Sequence, residues 1–173
     1  LADLQGPKLR VGEFKNTEET LKKGQKFTLD TNARLGDNKR VNFPHTEIYD
    51  HLTPNTTLLI NDGRIRLQII EQNKDSLITE VLNDGVISNN KGVNIPDVIL
   101  PIDSLTSKDK ADLHKALEMN VDWVALSFVQ QAEDINKLKK IIDGKALVMA
   151  KIEKPSAVKN MDDIIQAADG IMI

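Results

Sequence analysis

A lysine and a glutamate two residues apart, at the end of an apolar run, are the residues of this sequence best suited to do chemistry. The run is Ala146-Leu-Val-Met-Ala-Lys151-Ile-Glu153-Lys-Pro155, which predicts a buried strand that ends in charged residues. Side chains two apart on a strand point the same way and lie roughly 7 Å apart along it. We therefore expect Lys151 and Glu153 to share one face at the carboxyl end of the strand.

An ammonium beside a carboxylate at a strand end suits an anionic substrate. In parallel α/β proteins substrates bind at the carboxyl ends of the strands, and a Glu with a Lys can hold an anion through Mg²⁺. The alternative is an ordinary surface ion pair at the strand exit. The elements around this pair decide between the two.

The composition is that of a globular protein with one or two domains. The 173 residues are 40% hydrophobic and 28% charged, and 23 basic residues stand against 26 acidic ones without a block of like charge. This balance excludes an extended surface for nucleic acid or for an anionic membrane. Any phosphate bound here is recognised locally.

Several further classes of chemistry are excluded by residue types that are missing or isolated. There is no cysteine, so disulfides, thiolate catalysis and cysteine-ligated metals are ruled out, and a reducing compartment, the cytoplasm, is the expected location. Neither a signal peptide nor an apolar run of about 18 residues is present. His45, His51 and His114 have no metal-ligand spacing, and we assign them no function.

Strands and helices alternate from about residue 105. Strands are predicted at 121–129, at 146–152 and from residue 170, so strand starts recur after 25 and then 24 residues. This spacing suits a (β/α) barrel, although a doubly wound open sheet is also compatible with it. Both ends of the chain lie in apolar segments, which suggests a piece of a longer protein.

Polar residues at fixed positions predict where the helices of this series begin and end. Thr106-Ser-Lys-Asp109 resembles a capping box, and Gly144 can end the second helix in the left-handed conformation. Ser156 is predicted to cap a third helix. The apolar stripe of that helix is predicted to be Val158, Met161, Ile165 and Ala168.

The segment from residue 12 to about 92 follows a different pattern. Short β-branched and apolar runs, the first of which predicts a strand over Lys26-Phe-Thr-Leu-Asp30, are separated by turn sequences such as Asn61-Asp-Gly63 and Asn83-Asp-Gly85. We therefore predict an α/β protein, a partial (β/α)8 TIM barrel with an inserted small all-β domain. The predicted divisions are 1–11 for barrel strand 3, 12–92 for the insertion, and 93–173 for strands 4 and 5 and the start of strand 6. Within the first division the strand itself is predicted from Ala2 to about Leu9. An insertion after a barrel strand lies on the substrate face and can act as a lid.

Five motifs in order resemble the pyruvate kinase family. They are Asp3-Leu-Gln-Gly-Pro-Lys-Leu-Arg10, Asn61-Asp-Gly63, Lys91-Gly-Val-Asn-Ile-Pro96, Leu126-Ser-Phe-Val129 and Lys151-Ile-Glu153. The resemblance implies phosphate transfer from phosphoenolpyruvate to ADP, giving pyruvate and ATP. Phosphoryl transfer needs positive charge over the moving oxygens, which these residue types can supply.

The resemblance also implies roles for the residues of the lysine and glutamate pair. Lys151 resembles the transition-state stabiliser, and Glu153 resembles one of two carboxylates that hold Mg²⁺ or Mn²⁺, which polarises the enolate oxygen. The family's second carboxylate, in a Gly-Asp-Leu-Gly segment, lies past Ile173. Ser127 and Phe128 are implied to border the substrate, although a core strand would equally supply both.

Three residues in or beside the insertion are implied to contact nucleotide. Arg10 resembles an arginine that reaches the phosphates from the lid hinge, and its forked guanidinium suits that contact. Lys91 resembles a lysine on the nucleotide phosphates, and Asp62 a residue that lid closure brings over the site. The alternatives are a solvated arginine, a surface lysine and an ordinary hairpin turn.

Lys8 carries an implication about monovalent cations. Family members that need K⁺ usually have a glutamate at this position and K⁺-independent ones a lysine, whose ammonium can replace the ion. We therefore predict that K⁺ is not required. Asp3 would otherwise resemble a K⁺ ligand.

Two other functions remain open at this stage. One is another Mg²⁺-dependent enzyme of pyruvate or its enolate, an aldolase or lyase, and the other is a non-catalytic relative. The resemblance further implies a homotetramer for the full-length protein, and we expect the 173 residues alone to be inactive. Allosteric effectors cannot be deduced from this part of the chain.

Overall fold

The chain divides into two compact units. The computed structural model describes residues 1–96, 98, 100 and 102–173; the predicted segment 93–173 includes the three positions outside this description. One unit contains Leu1–Pro7 with Ile102–Ile173, and the other contains Lys8–Pro101. We call them the α/β unit and the β unit. The β unit contains more residues than the predicted insertion 12–92, and the bounds of that insertion stay a prediction.

Most of the described residues lie in short regular elements. The strands are β1 (Ala2–Leu4), β2 (Glu18–Leu21), β3 (Lys26–Asp30), β4 (Arg40–Asn42), β5 (Thr57–Ile60), β6 (Ile65–Asn73), β7 (Ser76–Val81), β8 (Gly85–Ser88), β9 (Val93–Asn94), β10 (Trp123–Leu126), β11 (Leu147–Lys151) and β12 (Gly170–Met172). The α-helices are α1 (Ser107–Glu118), α2 (Ala132–Ile142), α3 (Pro155–Lys159) and α4 (Met161–Ala167), and a 3₁₀ helix spans Thr46–His51.

A parallel sheet with helical connections forms the α/β unit. Its strand order is β1-β10-β11-β12, and all three pairings are parallel. The helices follow the strands in alternation, so the predicted α/β class is confirmed. The apolar core between sheet and helices includes Leu126, Leu113, Leu138 and Ile164.

The first strand is shorter than the sequence predicts. We expected it to run from Ala2 to about residue 9, but β1 ends at Leu4. Gly6 has a φ of +70°, which turns the chain, and Pro7 has no N–H with which to continue the ladder. The strand therefore ends beside the residues predicted to be functional.

The predicted capping box at the start of α1 is confirmed. The Thr106 hydroxyl accepts the Asp109 N–H at 3.1 Å, and the Asp109 carboxylate accepts the Thr106 N–H at 3.0 Å. A further hydrogen bond, 3.2 Å long, joins Asp109 to the N–H of Gly6, and the Asp109 side chain is buried. The cap thus also holds the turn after β1.

The predicted cap at Ser156 is wrong. Lys154 is the N-cap residue of α3, because Pro155 occupies the first helical position, where its fixed φ and missing N–H are tolerated. The Ser156 hydroxyl is buried without a hydrogen-bond partner within the described residues. At the end of α2, Gly144 adopts the predicted left-handed conformation, with a φ of +73°, and Asp143 before it is left-handed as well, with a φ of +50°.

The third predicted helix is also divided, and its apolar face is misplaced. The chain leaves helical geometry at Asn160, whose side chain donates to the Gln130 carbonyl at 2.9 Å, so that α3 and α4 replace one helix. The buried residues are Ala157 and Ile164, whereas Val158 is 60% exposed and Ile165 is 52% exposed. The break shifts the helical phase, which the predicted stripe assumed to be continuous.

The β unit is built almost wholly from antiparallel strands. A six-stranded sheet has the order β4-β3-β7-β6-β5-β9, in which only β3 and β4 pair in parallel, and β2 pairs with β8. The predicted strand at 26–30 is confirmed as β3, and Asn61-Asp-Gly63 forms the turn between β5 and β6. The strands of this unit are short and separated by turns, as the turn spacing predicts.

The helices of the described residues are short. The longest, α1, has twelve residues, and none is long and apolar enough to cross a membrane.

Candidate functional site

Four predicted site residues meet at the carboxyl ends of three neighbouring strands of the α/β unit. Asp3 lies in β1, Ser127 directly follows β10, Lys151 ends β11, and Glu153 is two residues further on. Parallel strands place their carboxyl ends at one edge of the sheet, so residues more than a hundred positions apart become neighbours. We call this group the strand-end cluster.

The Lys151 ammonium is the centre of the strand-end cluster. It is 3.1 Å and 3.2 Å from the two carboxylate oxygens of Asp3 and donates to the Ser127 hydroxyl at 3.0 Å. Its distance to the Glu153 Oε1 atom is 3.5 Å, which confirms that Lys151 and Glu153 project to the same side. The Lys151 side chain is only 17% exposed. It is therefore a fixed positive charge, not a solvated one.

The charge on Lys151 is secured by its neighbours. Partial burial alone would lower the pKa of this ammonium, but the hydrogen bond to Asp3 and the negative charges of Glu153 and Asp3 outweigh burial, and its pKa lies above its ordinary value. Lys151 is consequently protonated throughout the neutral range and acts as a cation, not as a base.

Ser127 links Lys151 to the neighbouring strand. Its hydroxyl donates to the Leu4 carbonyl at 2.6 Å while it accepts from Lys151, and its side chain is buried. A hydroxyl can make both bonds at once, whereas an alanine here would remove the donor to the Leu4 carbonyl and one of the acceptors of Lys151. Ser127 therefore helps to orient the Lys151 ammonium.

Glu153 is held by the backbone of Phe128. The Phe128 N–H donates to the Glu153 Oε2 atom at 2.9 Å, and Phe128 has a φ of +55°, which is unusual for an aromatic residue. This conformation turns the N–H toward the carboxylate. Oε1 is then the oxygen that faces Lys151.

Gly6 fits against Phe128 without room for a side chain. A Cβ atom on Gly6 would lie 2.8 Å from Phe128 Cδ2 and 3.2 Å from Ser127 Cβ. Only glycine tolerates both this approach and the positive φ. The contact joins Asp109, through the Gly6 N–H, to the residue that orients Glu153.

A shallow cleft of about 500 Å³ opens beside Glu153. It is lined by Ile152, Glu153, Lys154, Pro155, Val158 and Lys159. Lys154 is mostly buried there, and burial lowers the pKa of its amine, partly opposed by the charge of Asp134. The cleft gives Glu153 an open side toward a ligand.

The donor set of the strand-end cluster fits one protein ligand of a Mg²⁺ sphere. Within the described ranges, no group of three or more His, Cys, Asp or Glu side chains could hold a metal alone. Mg²⁺ commonly takes one or two carboxylates and completes its sphere with substrate oxygens and water. Glu153, a single carboxylate that lines the cleft, matches that arrangement.

The β unit contains the residues predicted to contact nucleotide, beginning with Arg10. Its Nη1 donates to the Asn90 carbonyl at 2.6 Å, its backbone bridges to Gly92, and its N–H donates to the His45 Nε2 atom at 3.2 Å. Arg10 is thus fixed by the loop that contains Asn90 and Gly92. It is not a freely solvated side chain.

The other three predicted residues of the β unit occupy its surface. Lys91 is half-buried, one residue from the bridge at Gly92. Lys8 is exposed, and its Cε would lie 3.7 Å from a Cβ atom added to Gly92. Asp62 is exposed in the β5–β6 turn with a φ of +56°. No contact among Arg10, Lys91 and Asp62 brings them into one cluster within the described hydrogen bonds and ion pairs.

Two residues that the sequence analysis left unassigned have contacts to site residues. Asp109 was recognised only as a helix cap, and nothing local signals its bond to Gly6, 103 positions away. His45 has no partner pattern in the sequence, although it accepts the Arg10 N–H. The only sequence signal for the contact of His45 is that this polar residue comes soon after a β-strand and a proline, and this signal is weak.

Comparison with known proteins finds one family over the whole chain. The family of the pyruvate kinase barrel domain matches residues 1–173. A pyruvate kinase of Methylorubrum extorquens is 47% identical over 173 residues, and one of Thermococcus litoralis is 38% identical over 176. The crystal structure of a pyruvate kinase from Cryptosporidium parvum superposes with a TM-score of 0.89 at 30% identity, covering 99% of this chain and 37% of that one.

The parallel sheet with its helical connections defines the class as an α/β domain of barrel type. The chain belongs to the pyruvate kinase family. These matches extend over the whole of this chain, but over only 36% of the Methylorubrum protein and 37% of the Thermococcus protein. The chain therefore spans about a third of the length of its curated relatives.

Proposed function

We propose that the protein containing this chain transfers the phosphoryl group of phosphoenolpyruvate to ADP, giving pyruvate and ATP. The observation that carries the proposal is the fixed Lys151 ammonium, held between Asp3, Ser127 and Glu153 at the carboxyl ends of parallel strands. Such a charge suits the stabilisation of a developing negative charge on a transferring phosphoryl group.

Each residue of the strand-end cluster has a distinct role in this proposal. Lys151 neutralises the moving phosphoryl oxygens, Ser127 and Asp3 hold it in place, and Phe128 borders the substrate. Glu153 holds Mg²⁺ or Mn²⁺, which supplies Lewis-acid stabilisation of the enolate oxygen when bound. The Phe128 N–H supports that role because it fixes Oε2 and so orients the carboxylate of a residue that lines the cleft.

The β unit supplies the nucleotide contacts in this proposal. Its residues 12–92 act as a lid inserted into a partial TIM barrel, and Arg10 and Lys91 bind nucleotide phosphates, with Asp62 brought over the site on closure. Support comes from the fixed guanidinium of Arg10, whose fork suits bidentate phosphate binding. The full-length protein is proposed to be a homotetramer, as the family resemblance implies.

The proposal is tested by a coupled assay of pyruvate formation with the full-length protein, phosphoenolpyruvate, ADP and Mg²⁺. We expect turnover that depends on all three. Turnover of phosphoenolpyruvate without ADP would favour an aldolase or lyase, and failure of the folded full-length protein to turn over any of these substrates would favour a non-catalytic relative.

Monovalent-cation dependence provides a separate prediction. We propose that the Lys8 ammonium replaces K⁺, so removing K⁺ from the assay should change kcat by no more than about twofold, a change worth less than 0.5 kcal/mol. The control adds K⁺ back at constant ionic strength, because salt alone screens charges. A manyfold rise on adding K⁺ would contradict the role of Lys8, and Asp3 would then be the candidate ligand of a monovalent cation.

A further inference from the structure

His45 lies at one edge of the backbone segment that includes Arg10, where the neighbouring Gly12 N–H donates to the Asn42 carbonyl at 2.8 Å. This segment runs antiparallel to residues 91–93: the Val11 N–H donates to the Lys91 carbonyl at 3.0 Å, and the Val93 N–H donates to the Leu9 carbonyl at 2.9 Å. In an antiparallel pair the N–H groups of one strand point alternately to its two edges. The Arg10 N–H therefore points away from residues 91–93. On that far edge it meets His45 Nε2 at 3.2 Å.

The contact defines the tautomer of His45. A backbone N–H can only donate, so Nε2 must carry a lone pair and no proton. The proton of the neutral ring is then on Nδ1, which faces Glu47 Oε1 at 3.3 Å. Both ring nitrogens are paired in this single state, and the imidazole is held at both ends.

The ring of His45 also has a rigid support. It packs on Phe43 with ring centroids 4.8 Å apart, and Phe43 is fully buried in the core of the β unit. The His45 side chain is itself only 22% exposed. The buried core therefore fixes the position of the His45 ring, and the ring in turn contacts the backbone of Arg10.

We propose that His45 is a positioning residue that fixes the Arg10 backbone, from which the guanidinium reaches nucleotide phosphate. The inference rests on the proposed function of Arg10. The backbone is anchored by His45, and the head of the same side chain is anchored by the Asn90 carbonyl. With both ends fixed, little conformational entropy is lost when the guanidinium binds phosphate.

The kinetic test compares His45→Phe with His45→Gln in the full-length protein. Phenylalanine keeps a ring on Phe43 but has no acceptor, whereas the glutamine carbonyl can be placed as many bonds from Cα as Nε2. We expect His45→Phe to lower kcat/KM for ADP roughly 5- to 50-fold, the effect of leaving a backbone donor unpaired, and His45→Gln to restore most of it. His114→Phe, at an exposed site on α1, is the control.

A double-mutant cycle separates positioning from general damage. In an Arg10→Met background the guanidinium is already lost, so adding His45→Phe should lower kcat/KM for ADP no further if His45 acts through Arg10. Effects that multiply, or a glutamine variant as impaired as the phenylalanine variant, would overturn the proposal.

Hydrogen–deuterium exchange supplies a readout that does not need activity. The Arg10 amide should be protected in the wild type and in His45→Gln, and should exchange faster in His45→Phe, in a peptide covering residues 9–14. Equal exchange in all three proteins would overturn the contact itself. If the contact holds but the wild type does not turn over phosphoenolpyruvate and ADP, the proposed function has failed and not the geometry.

Discussion

Lys151→Met in the full-length protein should lower kcat roughly 10²- to 10³-fold, the effect of removing one preorganised group that stabilises transition-state charge. Methionine keeps an unbranched apolar stem of similar length and removes only the ammonium. That ammonium is the group contacted by Asp3, Ser127 and Glu153, so its loss leaves three oxygen-bearing groups without their cation. The measurement is the coupled assay at saturating substrates, with circular dichroism to establish folding.

The matched control for this variant lies at the other end of the same strand. Lys145 is exposed and precedes β11, so Lys145→Met makes the same chemical change away from the strand-end cluster. Surface changes of this kind are worth about 0.5 kcal/mol or less, so kcat should stay within about twofold of wild type. If Lys151→Met were as active as Lys145→Met, the assignment of Lys151 to phosphoryl transfer would be wrong.

Gly6→Ala should damage both stability and activity. The added methyl group would lie 2.8 Å from Phe128 Cδ2 and 3.2 Å from Ser127 Cβ, at a φ of +70°. Left-handed backbone costs a non-glycine residue about 1–2 kcal/mol, and overpacking adds about 1–3 kcal/mol more. A displaced Phe128 would also move the N–H that holds Glu153, and misplacement of this kind lowers kcat roughly 10-fold or more.

Gly144→Ala separates the two causes. Gly144 has a similar φ of +73°, but no atom lies within 4 Å of the added Cβ. It should show only the backbone penalty of about 1–2 kcal/mol, read as a modest fall in Tm, with kcat unchanged. Equal losses of Tm and kcat in the two variants would mean that the contact between Gly6 and Phe128 does not position the site.

Local patterns predicted the parts of this molecule that depend on neighbouring residues. The capping box at Thr106, strand β3 and the turn at Asn61-Asp-Gly63 all depend on residues within a few positions of one another. The shared face of Lys151 and Glu153 follows likewise from the two-residue repeat of a strand, which persists one step past β11 because the Ile152 N–H still bonds to Met172.

Errors arose where a tertiary contact overrides a local preference. Ser156 is a good capping residue by type, but Pro155 and the break at Asn160 decide where the helices begin. A positive φ at Phe128 has no signal in its own residue type, because it depends on Glu153 and on the space that Gly6 leaves. The contact of His45 with Arg10 spans 35 positions, and no sequence periodicity joins them.

Anomalous diffraction from crystals of the full-length protein with Mn²⁺ and phosphoenolpyruvate tests the central claim most directly. We predict an anomalous peak bonded to a Glu153 carboxylate oxygen, at roughly 2.0–2.3 Å, with the substrate phosphate in contact with the Lys151 ammonium. A Mn²⁺ peak away from Glu153, or a substrate phosphate bound beyond the reach of Lys151, would contradict the account.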